Sequence, residues 1–302
     1  MNAEKVSSEQ SSLELGVLVG YDGSQLATRA LEYAAAEATQ RGTPLTVVSA
    51  YTEPAMIYPN IASIPDENER VVARVATEKL LAEAASLLRH HTGTISYRAE
   101  QGDAAGVLVH LSEHARVAVV GSRGCGGFIG RLLGSVSTAL PAHSLCPTVV
   151  VPSNQSETVG APIVVAVDGS DTGRLAMFTA AKVASSRGTA LDIVCVLPRG
   201  EEWLYWYPEL ELSSEVTDRR RKELDAGLEA EVAAVAQQFP DLKVSAAVPI
   251  GDPTEVITEM TKTAPLTVLG TRGRGPVRST LLGSVSRGVL HHAEGPVMVV
   301  PS

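Results

Sequence analysis

Short apolar runs alternate with longer stretches of helical periodicity, and this order occurs twice along the chain. Leu15–Tyr21 is apolar and rich in β-branched residues, and it stops at Asp22-Gly23-Ser24, which predicts a buried strand closed by a turn. Ser24 is placed to cap a helix over Gln25–Arg41, where Leu26, Ala27, Ala30, Leu31, Ala34, Ala35 and Ala38 follow helical spacing and Gly42 supplies the stop. Further strands are expected at Leu45–Ala50, Ile95–Ala99, Val117–Val120 and Thr148–Val151. Between them, helices are expected over Glu67–Arg89, after Gly102-Asp103, and over Ser135–Ala142. The second half repeats the series: strands at Ile163–Val167, Leu191–Val196, Lys243–Val248, Leu266–Leu269 and Val297–Val300, with helices at Thr172–Arg187, Glu215–Phe239, Thr254–Lys262 and Ser284–His291.

Strands that are apolar throughout and separated by helices imply a parallel sheet covered on both faces. The expected fold is therefore α/β, with two doubly wound five-stranded domains in tandem. Ligands of such sheets bind at the carboxyl ends of the strands, where the winding reverses. The first and fourth strands of the first half both end in conspicuous loops, at Asp22 and Gly121. A site shared between those loops requires the two strands to be neighbours.

Internal similarity supports the duplication. Val119–Ser137 and Val268–Ser286 match at 11 of 19 positions without a gap, at an offset of 149. The same offset relates Gly102-Asp103 to Gly251-Asp252, and Asp22-Gly23-Ser24 answers Asp168-Gly169-Ser170 at an offset of 146. Solenoid repeats have much shorter periods, so a whole domain is duplicated. The expected divisions are a disordered tail at 1–12, a first domain at 13–152, a polar linker at 153–161 and a second domain at 162–302.

Composition narrows the partners. A net charge of −9, from 34 acids against 25 bases, repels a phosphate backbone and argues against nucleic acid. The apolar runs are too short to span a membrane and the N-terminus has no apolar signal core, so a cytoplasmic protein is expected. Cys125, Cys146 and Cys195 are sparse and lack CxxC spacing, which fits a reducing compartment better than a disulfide framework or a zinc site.

The repeated loop has the form G-x2-G-x9-G-S: Gly121, Gly124, Gly134 and Ser135, then Gly270, Gly273, Gly283 and Ser284. A strand that stops at glycine lets the chain turn with its amides inward, and the second Gly-Ser opens a helix whose free N–H groups attract phosphate. Ser137 and Ser286 are expected to add hydroxyl donors at that mouth, and Arg123 and Arg272 lie within reach of phosphate or serve as solvated surface arginines. The loop is not a P-loop, because no lysine follows the glycines, and it is not a dinucleotide G-x-G-x-x-G.

Taken together, the Asp-Gly-Ser turns, the Gly-Asp pairs, the two glycine loops and the closing Val-Val-Pro strands resemble the universal stress protein family, once per half, in its nucleotide-binding branch. The resemblance implies a strand order of 3-2-1-4-5, flavodoxin-like or adenine-nucleotide-hydrolase-like, with nucleotide between strands one and four. It implies that Asp22 and Asp168 contact adenosine and that Gly20, Tyr21, Ala166 and Val167 line the end of strand one. Ala50 and Val196 from strand two, with Val120 and Leu269 from strand four, would pack on adenine. Gly121, Gly124, Gly134, Ser135 and Val136 would hold ribose and phosphates, as would Gly270, Gly273, Gly283, Ser284 and Val285. Tyr21 stands where many relatives carry a small aliphatic residue and is expected to crowd or stack on the base.

The implied ligand is ATP, with or without Mg2+, and cyclic AMP is the second choice. The implied role is a stress- or energy-responsive regulator that passes nucleotide occupancy to an unidentified protein partner. Slow ATPase or nucleotidyl transferase activity is the alternative, and a nucleotide-independent scaffold the third. No catalytic residue or metal ligand stands out. Edge pairing in the family implies an intrachain pseudo-dimer, with a homodimer as a further option. Among side features, His143 and His292 suit helix C-termini, and His110 with His114 forms an i, i+4 pair. Cys125 faces Arg274 across the repeat, and Glu201–Tyr207 gathers both tryptophans into a candidate lid or contact.

Overall fold

The computed structural model describes residues 14–52, 57–58, 61–62, 67–125, 133–153, 160–198, 214–273 and 282–302. The proposed tail at 1–12, most of the linker, the aromatic segment 201–207 and Arg274 lie outside the described residues. The chain divides into two compact units, Met1–Ser153 and Asn154–Ser302.

In the first unit the elements run β1 (Gly16–Gly20), α1 (Gln25–Arg41), β2 (Leu45–Tyr51), α2 (Glu67–Leu87), β3 (Ile95–Gln101), α3 (Ala104–Leu111), β4 (Ala115–Gly121), α4 (Ser135–His143) and β5 (Thr148–Val151). β1 pairs in parallel with β2 and β4, β2 with β3, and β4 with β5, which gives the order 3-2-1-4-5. A two-residue antiparallel ladder, Ile57–Tyr58 with Ile61–Ala62, was not expected from the apolar pattern.

The second unit repeats the plan with β6 (Ile163–Ala166), α5 (Asp171–Arg187), β7 (Leu191–Val194), α6 (Ser214–Gln238), β8 (Val244–Ala247), α7 (Pro253–Met260), β9 (Thr267–Gly270), α8 (Ser284–His292) and β10 (Val297–Val300). Parallel pairs β7–β8, β6–β7, β6–β9 and β9–β10 reproduce the same order.

The elements follow from local chemistry. Ser24 and Ser170 accept the Ala27 and Gly173 N–H groups and cap α1 and α5. Asp103 and Asp252, the acids of the Gly-Asp pairs, cap α3 and α7 through Gly106 and Glu255 N–H. Each such cap stabilises a helix by about 1 kcal/mol. Both long amphipathic helices start and stop within a few residues of expectation, ending at Leu87 and Gln238.

Successive strand residues face opposite sides of a sheet. A Cβ added to Gly121 would meet the Leu26 backbone of α1, whereas one added to Gly20 would meet the Leu108 side chain of α3. Helices therefore cover both faces, and the core lies between: Leu18, Leu31, Leu45 and Leu140 in the first unit, and Ile163, Met177, Leu191 and Leu266 in the second, are all sealed from solvent. Burial of each such side chain contributes about 1.5–3 kcal/mol.

Candidate functional site

In each unit the first strand has the second and fourth strands as neighbours, so the winding reverses there, which is where sheets of this kind form a crevice at their carboxyl ends. β1 delivers Asp22 to that crevice and β4 delivers the glycine loop. The Asp22 carboxylate joins the two: Oδ1 accepts the Ser24 N–H at 3.0 Å, and Oδ2 accepts the Cys125 N–H at 2.9 Å, across 103 residues of sequence. The Cys125 thiol donates to the Asp22 carbonyl at 3.2 Å.

The middle glycine is a matter of space. A Cβ on Gly124 would come within 2.3 Å of Asp22 Oδ2, and one on Gly273 within 2.4 Å of Asp168 Oδ2. In the second unit Asp168 Oδ1 accepts the Ser170 N–H at 3.0 Å and its hydroxyl, while Thr172 Oγ1 donates to the Arg272 carbonyl at 2.6 Å.

The far end of each loop returns to its start. Gly134 N–H donates to the Ser122 carbonyl at 3.0 Å, and Gly283 N–H to the Thr271 carbonyl at 2.7 Å. Ser137 and Ser286 act otherwise than expected. Both are buried, and their hydroxyls donate to the Ser122 and Gly270 carbonyls at 2.7 and 2.8 Å, pinning the loop instead of facing the mouth. Ser135 and Ser284, two residues earlier, are exposed.

α4 and α8 begin at Gly134 and Gly283 with no side-chain cap. By contrast, α1, α3, α5 and α7 each have one. An uncapped start leaves several N–H groups and the positive end of the helix dipole to be met by solvent or an anion.

The remaining residues stand at the carboxyl ends of the strands or in the first turns of α4 and α8. Gly20, Ala50, Ala166, Val167 and Val196 are half-buried at the strand ends, and Val120 and Leu269 are buried beside them. Val136 and Val285 are half-buried in the first turns of α4 and α8. Tyr21 is 5% exposed, so its ring is packed into the protein and its backbone N–H extends the ladder to the Val48 carbonyl. Arg272 is exposed and Arg123 half-buried.

A model of the universal stress protein family matches residues 16–152 and again 161–301. The chain belongs to the universal stress protein family. It is 33% identical over 296 residues to a universal stress protein of Mycobacterium tuberculosis strain H37Rv, covering 94% of this chain and 96% of the relative. A universal stress protein of Mycolicibacterium smegmatis is 31% identical over 307 residues, covering 96% and 98%. The crystal structure of a universal stress protein from Archaeoglobus fulgidus superposes with a TM-score of 0.66 over 96% of this chain and 97% of that one, at 22% identity, which supports the fold.

Sequence reasoning missed Thr172, whose partner lies 100 residues away, and the capping acids Asp103 and Asp252. The caps had a readable signal, an acid directly before an apolar helical run; the Thr172 contact had none. His292 Nδ1 lies 2.9 Å from the Gly288 carbonyl, in keeping with a role at the helix end. Among the described residues, no cluster of three or more His, Cys, Asp or Glu is placed to hold a metal, and no helix is long and apolar enough to cross a membrane.

Proposed function

We propose that each domain binds an adenine nucleotide, ATP foremost, in the crevice between its first and fourth strands, and that occupancy is the signal passed to a protein partner. The observation that carries this reading is the pair of uncapped helices. Among the α-helices whose caps are described, the only two without a side-chain cap are the two that follow the glycine loops. A phosphate chain satisfies both the free N–H groups and the helix dipole. Asp22 and Asp168 lie at the other side of the crevice, where a carboxylate accepts ribose hydroxyls. The glycine cradle fits such a group, because any side chain at Gly124 or Gly273 would fill the space beside that carboxylate.

In this reading Ser135, Val136, Ser284 and Val285 offer backbone N–H groups to phosphate. Val120, Leu269, Ala50 and Val196 offer apolar surface to the base. When bound, the nucleotide supplies a phosphoanhydride, and a magnesium ion would be carried on its phosphates. The loops contain no lysine, so binding rather than turnover is the better-supported role.

Titration calorimetry of the full chain with ATP, ADP and cyclic AMP tests the proposal. Two sites per chain, with ATP bound more tightly than cyclic AMP, are expected; absence of binding at millimolar ATP overturns it. Single-turnover measurement of phosphate and pyrophosphate release, with and without Mg2+, decides between binding and slow hydrolysis.

A further inference from the structure

The face of the second sheet beneath α7 carries a cleft whose chemistry differs from that of the same place in the first domain. Val164, Asp192 and Ser245 align in one row across β6, β7 and β8, because Val164 pairs with Asp192 and Asp192 with Ser245. The next row but one sets Val194 beside Ala247. With Met260 at the end of α7, these side chains line a cleft of about 200 Å3.

In the first domain the matching row is Leu18, Thr46 and Ser96, and Val48 pairs with Arg98 where Val194 pairs with Ala247. There Leu18 is sealed from solvent, and the Thr46 hydroxyl is engaged by the Leu15 carbonyl and the Ser96 hydroxyl at 2.9 Å each. The second domain thus has valine for leucine, aspartate for threonine and alanine for arginine. The first and third changes vacate volume, and the last two turn the wall from basic to acidic.

Asp192 accepts a hydrogen bond from the Ser245 hydroxyl, and no Lys, Arg or His is among the described residues lining the cleft. A carboxylate set in an apolar wall without a countercharge favours a cation that can both pair with it and bury hydrocarbon. The volume falls below the ~300–1,000 Å3 usual for drug-sized ligands, which limits the occupant to a fragment-sized molecule.

We propose that this cleft binds a small organic cation, a protonated amine on a compact apolar body. Its ammonium sits on Asp192 and its hydrocarbon lies against Val164, Val194 and Met260. The row that carries Asp192 is the second residue of each strand, whereas the glycine loop leaves from the last residue of β9. The anchor for the ammonium therefore lies away from the glycine loop, while the apolar end of the cleft, at Val194, adjoins Val196 of the crevice.

The test is an NMR titration of the full chain with 2-phenylethylamine, using 2-phenylethanol and phenylacetate as the neutral and anionic counterparts. The amine is expected to bind roughly tenfold more tightly than the alcohol, as a charge-assisted hydrogen bond requires, and phenylacetate more weakly still. D192N removes that preference. A247R returns the arginine of the first domain to an exposed edge position and displaces the amine while leaving the circular dichroism spectrum unchanged. Equal binding of amine and alcohol, an amine preference that survives D192N, or no amine binding up to tens of millimolar each overturns the proposal.

Discussion

Among the described residues, different side chains tie the glycine loop to the start of its domain in the two halves. In the first, the tie comes from the loop: Cys125 donates its N–H to Asp22 Oδ2 and its thiol to the Asp22 carbonyl. In the second, a tie comes from the helix: Thr172 in the first turn of α5 reaches across to the Arg272 carbonyl of the loop. The residue matching Thr172 is Leu26, which has no hydroxyl, and the residue matching Cys125 is Arg274. Topology dictates that the two segments meet, since β1 and β4 are neighbours and so are β6 and β9. It does not dictate which side chain closes the gap, and the two domains use different ones.

The largest expected effect comes from removing the space both ties depend on. In Gly124→Ala the new methyl would lie 2.3 Å from Asp22 Oδ2, and in Gly273→Ala 2.4 Å from Asp168 Oδ2, so the carboxylate or the loop must move. Overpacking of this kind costs about 1–3 kcal/mol. Each variant is expected to lower the number of ATP sites per chain from two to one in calorimetry, with the other site unchanged. A variant that weakens both sites equally would show that the domains do not bind independently.

A smaller effect separates the ties themselves. Thr172→Val preserves shape but removes a neutral hydrogen bond, which costs about 0.5–1.5 kcal/mol. Cys125→Ala removes only a weak thiol donor and keeps the backbone N–H on Asp22, so about a few tenths of a kcal/mol is expected. Chemical denaturation should rank the two in that order. The reverse ranking would mean that the thiol contact, at 3.2 Å, carries more than its chemistry warrants.

Much of this arrangement is legible in the sequence. Apolar runs such as Thr148–Val151 and Val297–Val300 read as buried strands because a parallel sheet covered on both faces demands no alternation. The glycine loops were legible because their spacing recurs. What stayed hidden depends on direction rather than spacing. Ser137 and Ser286 share the glycine motif's first helical turn with Ser135 and Ser284, yet two residues along a helix is more than half a turn, and that rotation carries the later pair inward to the Ser122 and Gly270 carbonyls. The Ile57–Tyr58 ladder was missed because two-residue strands carry no periodicity. Tyr21, read as a residue that would crowd or stack on the base, is buried just past the end of β1.

The smallest expected effect tests the Cys125–Asp22 contact directly. Cys125 is exposed, but partial burial, the Asp22 charge and the hydrogen bond to Asp22 together push its thiol above the ordinary cysteine value. Cys146 is buried, and that burial pushes its thiol up to about 11. Thiolate is the reactive form. Alkylation of the native protein by iodoacetamide near pH 7.5 should therefore be slow at Cys125, slower still at Cys146, and should speed up as pH rises through the cysteine range. Asp22→Asn removes a negative charge that opposes ionisation, so it should shift the Cys125 rate profile to lower pH and raise the rate a few-fold at neutral pH. Because burial is the larger cause, the rate should remain below that of a free thiol even in this variant. A rate profile unmoved by Asp22→Asn would separate the thiol from the carboxylate and leave the loop of the first domain tied by its backbone alone.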